Sequence, residues 1–228
     1  MALCSGLTGV RYAMAEKWEL AVLCVILAGI LDGLDGRIAR LLRGESRFGA
    51  ELDSLSDSIA FGVTPALIIY LWSLENLPKI GWVIALAHAL MCVLRLARFN
   101  AMIDVDDQPM KRAGYLTGVP APTGAGLAFM PLYAWFVTEE ALFREWYVVA
   151  PWTAFVAVLM ISNIPTLSWK ALRLRRSVRL EAIAVAALLV ASLLTAPWLT
   201  LLVLSLAYLA MIPFGMMSYR KARKAMAG

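Results

Sequence analysis

DGLDGRIAR (residues 32–40) and GAELDSLSD (residues 49–57) place four aspartates beside long apolar runs of the chain. These are Asp32, Asp35, Asp53 and Asp57. Residues 20–31 lead straight into the first stretch, and residues 59–72 follow the second without a charged side chain. Ionisable groups at a membrane boundary are costly unless they are compensated, and they indicate function. The pattern therefore favours a functional acidic site at the mouth of a membrane over a solvated charge cluster.

Helical spacing lets the four carboxylates converge. An α-helix turns by about 100° per residue, so Asp32 and Asp35 share one helix face and Asp53 and Asp57 share a face of the next helix. Residues 41–48 are rich in polar side chains and predict a turn between two antiparallel helices. Like charges roughly 4 Å apart repel by about 4 kcal/mol at an effective dielectric near 20, so the four acids need cations.

The candidate ligands for such a cation are all oxygen atoms. The segment from residue 32 to residue 57 contains no His or Cys. This ligand set favours Mg²⁺ or Mn²⁺, with Ca²⁺ as a third candidate, over zinc or copper. Gly36 and Gly49 each leave out a Cβ where a ligand or the partner helix approaches. Four arginines add a cationic rim suited to phosphate. They are Arg37, Arg40, Arg43 and Arg47.

Composition excludes a water-soluble globular protein. Of the 228 residues, 61% are hydrophobic and 16% are charged, and the mean hydropathy is +0.74. We predict an all-α membrane bundle of about eight transmembrane helices, the first one short, forming a single domain over residues 1–228. The apolar segments lie near residues 3–14, 20–31, 59–72, 80–96, 121–136, 147–161, 182–196 and 199–217. A span needs roughly 20 residues, so the second and third segments reach full length only if their helices continue through the aspartates.

Lys and Arg placement predicts the orientation of the bundle. Seventeen basic residues fall in loops on the aspartate side, and four fall in the opposite loops. Because positive loops stay inside, we expect an integral protein of the cell membrane whose active site faces the cytoplasm. The four basic residues on the other side are Arg11, Lys17, Lys79 and Arg144. The net charge of +5 comes from the cytoplasmic rim and requires no nucleic-acid partner.

The spacing of the acidic stretch resembles the signature of a known family. The pattern Asp-x2-Asp-Gly-x2-Ala-Arg-x8-Gly-x3-Asp-x3-Asp is similar to that of the CDP-alcohol phosphotransferases, and this chain matches every fixed position. The matching residues are Asp32, Asp35, Gly36, Ala39, Arg40, Gly49, Asp53 and Asp57. Within the family, RLARFN (residues 95–100) and GVPAP (residues 118–122) resemble the bacterial and archaeal phosphatidylserine synthases. The resemblance runs from about residue 2 to about residue 127.

The resemblance implies a metal-dependent transferase. It implies that a phosphatidyl group passes from CDP-diacylglycerol to the hydroxyl of L-serine, with release of CMP. Two Mg²⁺ or Mn²⁺ ions are expected, and Asp57 is the expected general base with some contact to the metal. The implied metal ligands are Asp32, Asp35, Asp53 and Asp57. The implied CDP-lipid contacts are Asp32, Gly36, Ala39, Arg40 and Gly49. A homodimer is one assembly that the resemblance also implies.

Arg95, Arg98 and Asn100 are candidates for binding the acceptor alcohol. They end the fourth apolar segment on the aspartate side, and guanidinium groups pair with the carboxylate of serine or with a lipid phosphate. The alternative is ordinary charge at a membrane boundary. The same centre could also serve glycerol phosphate, inositol phosphate or choline as acceptor. A cation or proton transporter is a further alternative, although its acids would be spread across the bilayer rather than clustered at one face.

Other residues have structural interpretations. His88 lies among apolar neighbours and is expected to form a hydrogen bond to an adjacent helix. Cys4, Cys24 and Cys92 lack the spacing of a metal site or a disulfide framework and are predicted to be small buried hydrophobes. The first segment lacks the Pro-Asn-x-x-Thr entry usual in the family. We therefore expect either an abbreviated first helix or a true start upstream of Met1.

Overall fold

The computed structural model describes residues 1–41, 47–101, 115–167 and 179–227. These residues form a helical bundle. The helices are α1 (Ala2–Met14), α2 (Trp18–Leu41), α3 (Arg47–Asp57), α4 (Thr64–Trp72), α5 (Ile80–Ala101), α6 (Ala121–Ala128), α7 (Met130–Thr138), α8 (Trp146–Ile161), α9 (Arg179–Thr195) and α10 (Pro197–Ala227). Two strands, β1 (Tyr115–Thr117) and β2 (Pro165–Leu167), pair antiparallel. Each predicted apolar segment falls on helix, which confirms the helical class. The short β-ladder was not predicted.

Both aspartate-bearing helices continue from the apolar segments through the acidic residues. The helix α2 runs unbroken for 24 residues. A six-residue π-helical segment, Ser58–Val63, joins α3 to α4, and Phe48–Trp72 becomes a candidate span of 25 residues. The predicted lengthening of the second and third segments is thereby confirmed. The π-helix is rare and is often found at functional sites; here it begins directly after Asp57.

Length and composition identify three candidate membrane spans among the described residues. They are Phe48–Trp72, Ile80–Ala101 and Pro197–Ser218. Two shorter apolar helices, Trp146–Ile161 and Ile183–Thr195, accompany them. The structure therefore supports an integral membrane protein, and the number of eight spans stays a prediction.

The fifth predicted segment is divided into α6 and α7 by Pro131. Proline has no N–H, so Pro131 cannot bond to the carbonyl of Leu127 four residues earlier. Trp152 of α8 uses that carbonyl instead, because its Nε1 donates to Leu127 O at 2.8 Å. A buried carbonyl needs a partner, and this contact both satisfies it and joins α8 to the break.

Small residues pack α1 against the helices that carry the aspartates. Its buried positions are Ala2, Gly6, Gly9 and Ala13. A Cβ at Gly9 would lie 2.8 Å from the carbonyl oxygen of Ala21, so α1 and α2 meet at their backbones, as helices in apolar surroundings often do. Cys4 lies on the opposite face of α1 and is exposed, so the prediction of burial was wrong for this cysteine.

His88 and Cys92 lie buried in α5 against the π-helical segment. The imidazole of His88 is buried near the backbone of Phe61, but neither ring nitrogen has a hydrogen-bond partner among the described residues, so the expected hydrogen bond to an adjacent helix is not confirmed. A Cβ added to Gly62 would lie 3.0 Å from the Cβ of Cys92. Close packing here sets the position of α5 relative to the aspartate-bearing helix.

Gly118 joins the β-ladder to the start of α6. Its φ is +72°, its N–H donates to Ile164 O at 2.8 Å, and a Cβ there would lie 2.6 Å from Met160 O. Only glycine fits such a left-handed, crowded position without strain. The residues after it lead into α6 with Pro120 as the N-cap, so the turn starts this helix and also holds it against the end of α8.

Arg144 lies at the end of the bundle away from the aspartates. Its guanidinium carbon is 5.8 Å from the ring centroids of both Trp18 and Trp135. Its Nε donates at 3.0 Å to the carbonyl oxygen of Trp72, the last residue of α4. A cation at a helix C-terminus is favourable, and this position agrees with the predicted placement of Arg144 in a loop opposite the active site.

Candidate metal and substrate site

Three aspartates meet between α2 and α3. One carboxylate oxygen each of Asp32, Asp53 and Asp57 lies within 4.8 Å of the other two. Asp32 and Asp57 are partly buried, and Asp53 is exposed. Oxygens bound to one Mg²⁺ at about 2.1 Å lie roughly 3 to 4 Å apart, so small side-chain rotations would close this triad on an ion. The all-oxygen donor set and its spacing fit a hard divalent cation.

Asp57 has an incomplete set of partners within the described part of the chain. Its Oδ1 is buried and has no hydrogen-bond partner there. Arg95 interacts with it electrostatically, but one guanidinium leaves an excess of negative charge beside three carboxylates. A buried acceptor without a partner is costly. The arrangement therefore calls for a cation or a substrate proton at Asp57.

Asp35 lies at the edge of the triad. It is exposed one turn further along α2, and its Oδ2 is 3.9 Å from the amino nitrogen of Met1. Its charge acts on Asp32 and Asp53, although it is outside the group whose oxygens lie within 4.8 Å. The structure thus brings together three of the four predicted metal ligands and leaves the fourth beside them.

The face of α2 next to the triad is open. A Cβ added to Gly33 or Gly36 would meet no heavy atom within 4 Å among the described residues. Gly49 is exposed in the first turn of α3. This leaves room for a substrate beside the carboxylates. The side chains of Ala39 and Arg40, and those of Arg43 and Arg47 in the predicted rim, lie outside the described part of the structure.

The predicted acceptor residues at the end of α5 have different partners. Arg95 faces Asp57, and its buried Nε has no hydrogen-bond partner among the described residues. Arg98 donates from Nη1 to Asn163 Oδ1 at 2.9 Å and from Nη2 to the carbonyl of Ser162 at 3.2 Å.

Asn100 also binds to another element of the bundle. Its Nδ2 donates to Ser54 Oγ at 2.8 Å. Arg98 and Asn100 therefore hold the end of α5 to α8 and to α3.

Sequence reasoning missed Ser54, Ser162 and Asn163. Ser54 follows Asp53 directly, but nothing in its spacing indicates a partner in α5. Ser162 and Asn163 are the polar pair that ends the apolar segment before Pro165. The sequence predicts a helix end at this position. Nothing in the sequence indicates that Arg98, 64 to 65 residues earlier, binds to this pair.

Known proteins share this sequence over most of its length. The family model described as CDP-alcohol phosphatidyltransferase matches residues 1–217. A CDP-diacylglycerol–serine O-phosphatidyltransferase of Mycobacterium tuberculosis (strain ATCC 25618 / H37Rv) is 40% identical over 165 residues, which cover 72% of this chain and 57% of the relative. A protein of the same name in Helicobacter pylori (strain ATCC 700392 / 26695) is 36% identical over 162 residues, covering 70% of this chain and 65% of the relative.

An archaeal protein is also similar to this chain. The CDP-diacylglycerol–serine O-phosphatidyltransferase of Methanocaldococcus jannaschii is 33% identical over 158 residues, covering 69% of this chain and 67% of the relative. The chain spans little more than half the length of the mycobacterial relative, at 57%. The family match extends over nearly the whole chain and includes all the aspartates of the triad. This chain therefore belongs to the CDP-alcohol phosphatidyltransferase family.

Proposed function

We propose that this protein transfers the phosphatidyl group of CDP-diacylglycerol to the hydroxyl of L-serine, forming phosphatidylserine and releasing CMP. The observation that carries this proposal is the meeting of Asp32, Asp53 and Asp57 within 4.8 Å in a member of the CDP-alcohol family. The names of the bacterial and archaeal relatives support serine as the acceptor. We place the reaction at the cytoplasmic side of the cell membrane, in a bundle of eight membrane-crossing helices.

Asp32, Asp53 and Asp57, with Asp35 beside them, would hold one or two Mg²⁺ or Mn²⁺ ions. Such ions neutralise the pyrophosphate and stabilise the charge that develops on the departing CMP. Three carboxylates so close together cannot all remain charged at low cost without a counter-ion. The protein's part in this transfer is mainly to position the two substrates and balance their charge.

Asp57 is the proposed general base. Its buried Oδ1 has no hydrogen-bond partner among the described residues and is available to accept a proton, and bound cations, with Arg95 beside it, would balance the negative charge of Asp57. The serine hydroxyl gives its proton to Asp57 while its oxygen bonds to the phosphorus of the phosphatidyl group. The bond from that phosphorus to the CMP oxygen breaks, and CMP leaves with the bonding electrons. The proton that Asp57 has taken from serine is then released to water.

The open face of α2 is the proposed site of the nucleotide-linked lipid. Gly36 leaves space beside the triad. Ala39, Arg40 and Gly49 are assigned to the same side of the site because they match fixed positions of the family's sequence motif. The end of α5 is the proposed acceptor side, where Arg95, Arg98 and Asn100 carry donors suited to the serine carboxylate. The two substrates would thus meet at Asp57 from opposite sides.

The proposed function is tested by measuring CMP release from purified protein. The protein is incubated with CDP-diacylglycerol, Mg²⁺ or Mn²⁺ and, in separate samples, serine, glycerol phosphate, inositol phosphate or choline, and the lipid product is identified by mass spectrometry. We expect release that requires both the cation and serine and that yields phosphatidylserine. Release with another alcohol but none with serine would overturn the choice of acceptor, and release that persists in EDTA would overturn the metal's role.

A further inference from the structure

We propose that Asn163 is a specificity-determining residue for the acceptor: it orients Arg98 and, together with it, binds the acceptor's carboxylate. This inference rests on the proposed function, because it takes the end of α5 as the acceptor side. Asn163 lies between α8 and β2, in a part of the chain where the sequence offered only hydrophobicity. Its side-chain Oδ1 accepts a hydrogen bond from Arg98 Nη1 at 2.9 Å.

Arg98 is held in one orientation by two hydrogen bonds and keeps further N–H donors beyond those that bind the described residues. A guanidinium has five N–H groups, and Arg98 uses two of them on Asn163 Oδ1 and on the carbonyl of Ser162. The other three N–H groups, including the one on Nε, form no hydrogen bond to the described residues, and they are enough for a two-point contact with a carboxylate. The two hydrogen bonds lower the entropy cost of presenting these donors, since a long side chain is already ordered before the acceptor arrives.

Asn163 is itself held in place by the backbone around it. Gly118 donates to the carbonyl of Ile164 at 2.8 Å, and Thr117 pairs with Pro165 in the β-ladder. The carbonyl group of the Asn163 side chain accepts from Arg98, so its NH₂ group points to other partners. Because Asn163 is exposed, this NH₂ group is accessible to a small polar ligand.

Arg98 lies about one helical turn beyond Arg95, the residue that interacts with the proposed base. Arg95 interacts with Asp57, and Arg98 follows Arg95 at i+3 on the same side of α5. One turn of helix advances by about 5.4 Å. An acceptor whose carboxylate is only a few bonds from its hydroxyl, as in a small hydroxy amino acid, can therefore reach both the base and the pair formed by Arg98 and Asn163.

The test compares Asn163→Ala and Asn163→Asp with Ser162→Ala. Loss of one hydrogen bond to a charged group amounts to roughly tenfold or more, so Asn163→Ala is expected to raise the serine KM by about tenfold. The kcat and the KM for CDP-diacylglycerol should stay within about twofold of wild type. Asn163→Asp keeps an acceptor for Arg98 but places a negative charge beside the serine carboxylate, so its serine KM should rise further.

Ser162→Ala is the matched control. The carbonyl group of Ser162 accepts from Arg98, while its side-chain hydroxyl bonds to Leu159 O at 2.7 Å. The variant keeps the carbonyl, so its serine KM should not change. Equal increases in the KM of both substrates, or a loss of kcat with an unchanged serine KM, would overturn the role of Asn163.

Two measurements keep this test separate from that of the proposed function. The acceptor panel with wild-type protein shows first which alcohol is used. If serine fails there as an acceptor, the proposed function fails; serine binding to wild type and to Asn163→Ala is then measured directly by calorimetry, and an equal affinity of the two proteins overturns the inference independently. Thermal unfolding checks each variant, and if Asn163→Ala does not fold, Asn163→Asp gives the same readout with the Arg98 contact kept.

Discussion

Replacing Asp53 by Asn would test whether the triad depends on a cation without removing the proposed base. Two unit charges 4.8 Å apart repel by about 3.5 kcal/mol at an effective dielectric of 20 and by about 0.9 kcal/mol in water. Asp53 has two such partners and is exposed, so water screens its charge. Replacing it by Asn should therefore remove about 2 to 4 kcal/mol of repulsion. Without cations, the Asp53→Asn protein should therefore be at least as stable as wild type.

In the presence of cations, the order of stability of wild type and Asp53→Asn should reverse. Mn²⁺ or Mg²⁺ would bind three carboxylates in wild type and two in the variant, so added cation should raise the melting temperature of wild type by more than that of Asp53→Asn. The assay is thermal unfolding in detergent, followed by tryptophan fluorescence, in EDTA and in added Mn²⁺. Glu51→Gln is the control, because Glu51 is an exposed acid on the same helix outside the triad.

Three results would refute this reasoning. One is a clear loss of stability of Asp53→Asn in EDTA, which would mean that the carboxylate stabilises the protein through contacts of its own. Another is an equal response of wild type and variant to Mn²⁺, which would remove Asp53 from the ligand set. A response of Glu51→Gln as weak as that of Asp53→Asn would show that the cation effect is only general charge screening.

Three further predictions test other parts of the site. Asp57→Asn should abolish CMP release but leave CDP-diacylglycerol binding largely intact, and normal turnover would disprove the base assignment. Ser54→Ala and Asn100→Ala should each cost about 1 kcal/mol of stability, and the double variant no more than either single one, since both remove one hydrogen bond; additive losses in thermal unfolding would contradict this. Gly36→Val should raise the KM for CDP-diacylglycerol without changing the serine KM or lowering stability by more than about 1 kcal/mol, and an unchanged lipid KM in the CMP assay would place the substrate elsewhere.

Much of the fold could be predicted because membrane helices follow from local hydropathy. The helix α2 and the helix of residues 47–72 lengthen through the aspartates as the span requirement demanded. The break at Pro131 could also have been anticipated from proline's missing N–H. It was not predicted, because residues 121–136 form one continuous apolar segment. The exposure of Cys4 depends on which face of α1 packs against the other helices. The sequence did not decide this, because small residues occur on more than one face of α1.

The candidate site was predictable where spacing along one helix decides it. Asp53 and Asp57 meet Asp32 as helical periodicity predicted, whereas the edge position of Asp35 depends on how two helices cross. The partners of Arg98 and Asn100 could not be predicted, because Asn163 and Ser54 come near them only through tertiary packing. The sequence indicated donors at the end of α5, and the structure shows that two of these already join helices together.

The central claim is that Asp32, Asp53 and Asp57 hold a divalent cation that binds the nucleotide-linked lipid. It is tested most directly by determining the structure of the protein with CDP-diacylglycerol and Mn²⁺ and locating Mn²⁺ by its anomalous scattering. We predict a peak in contact with one oxygen of each of these aspartates and with the pyrophosphate. A peak elsewhere, or a bound nucleotide whose phosphates lie away from the three carboxylates, would contradict the claim.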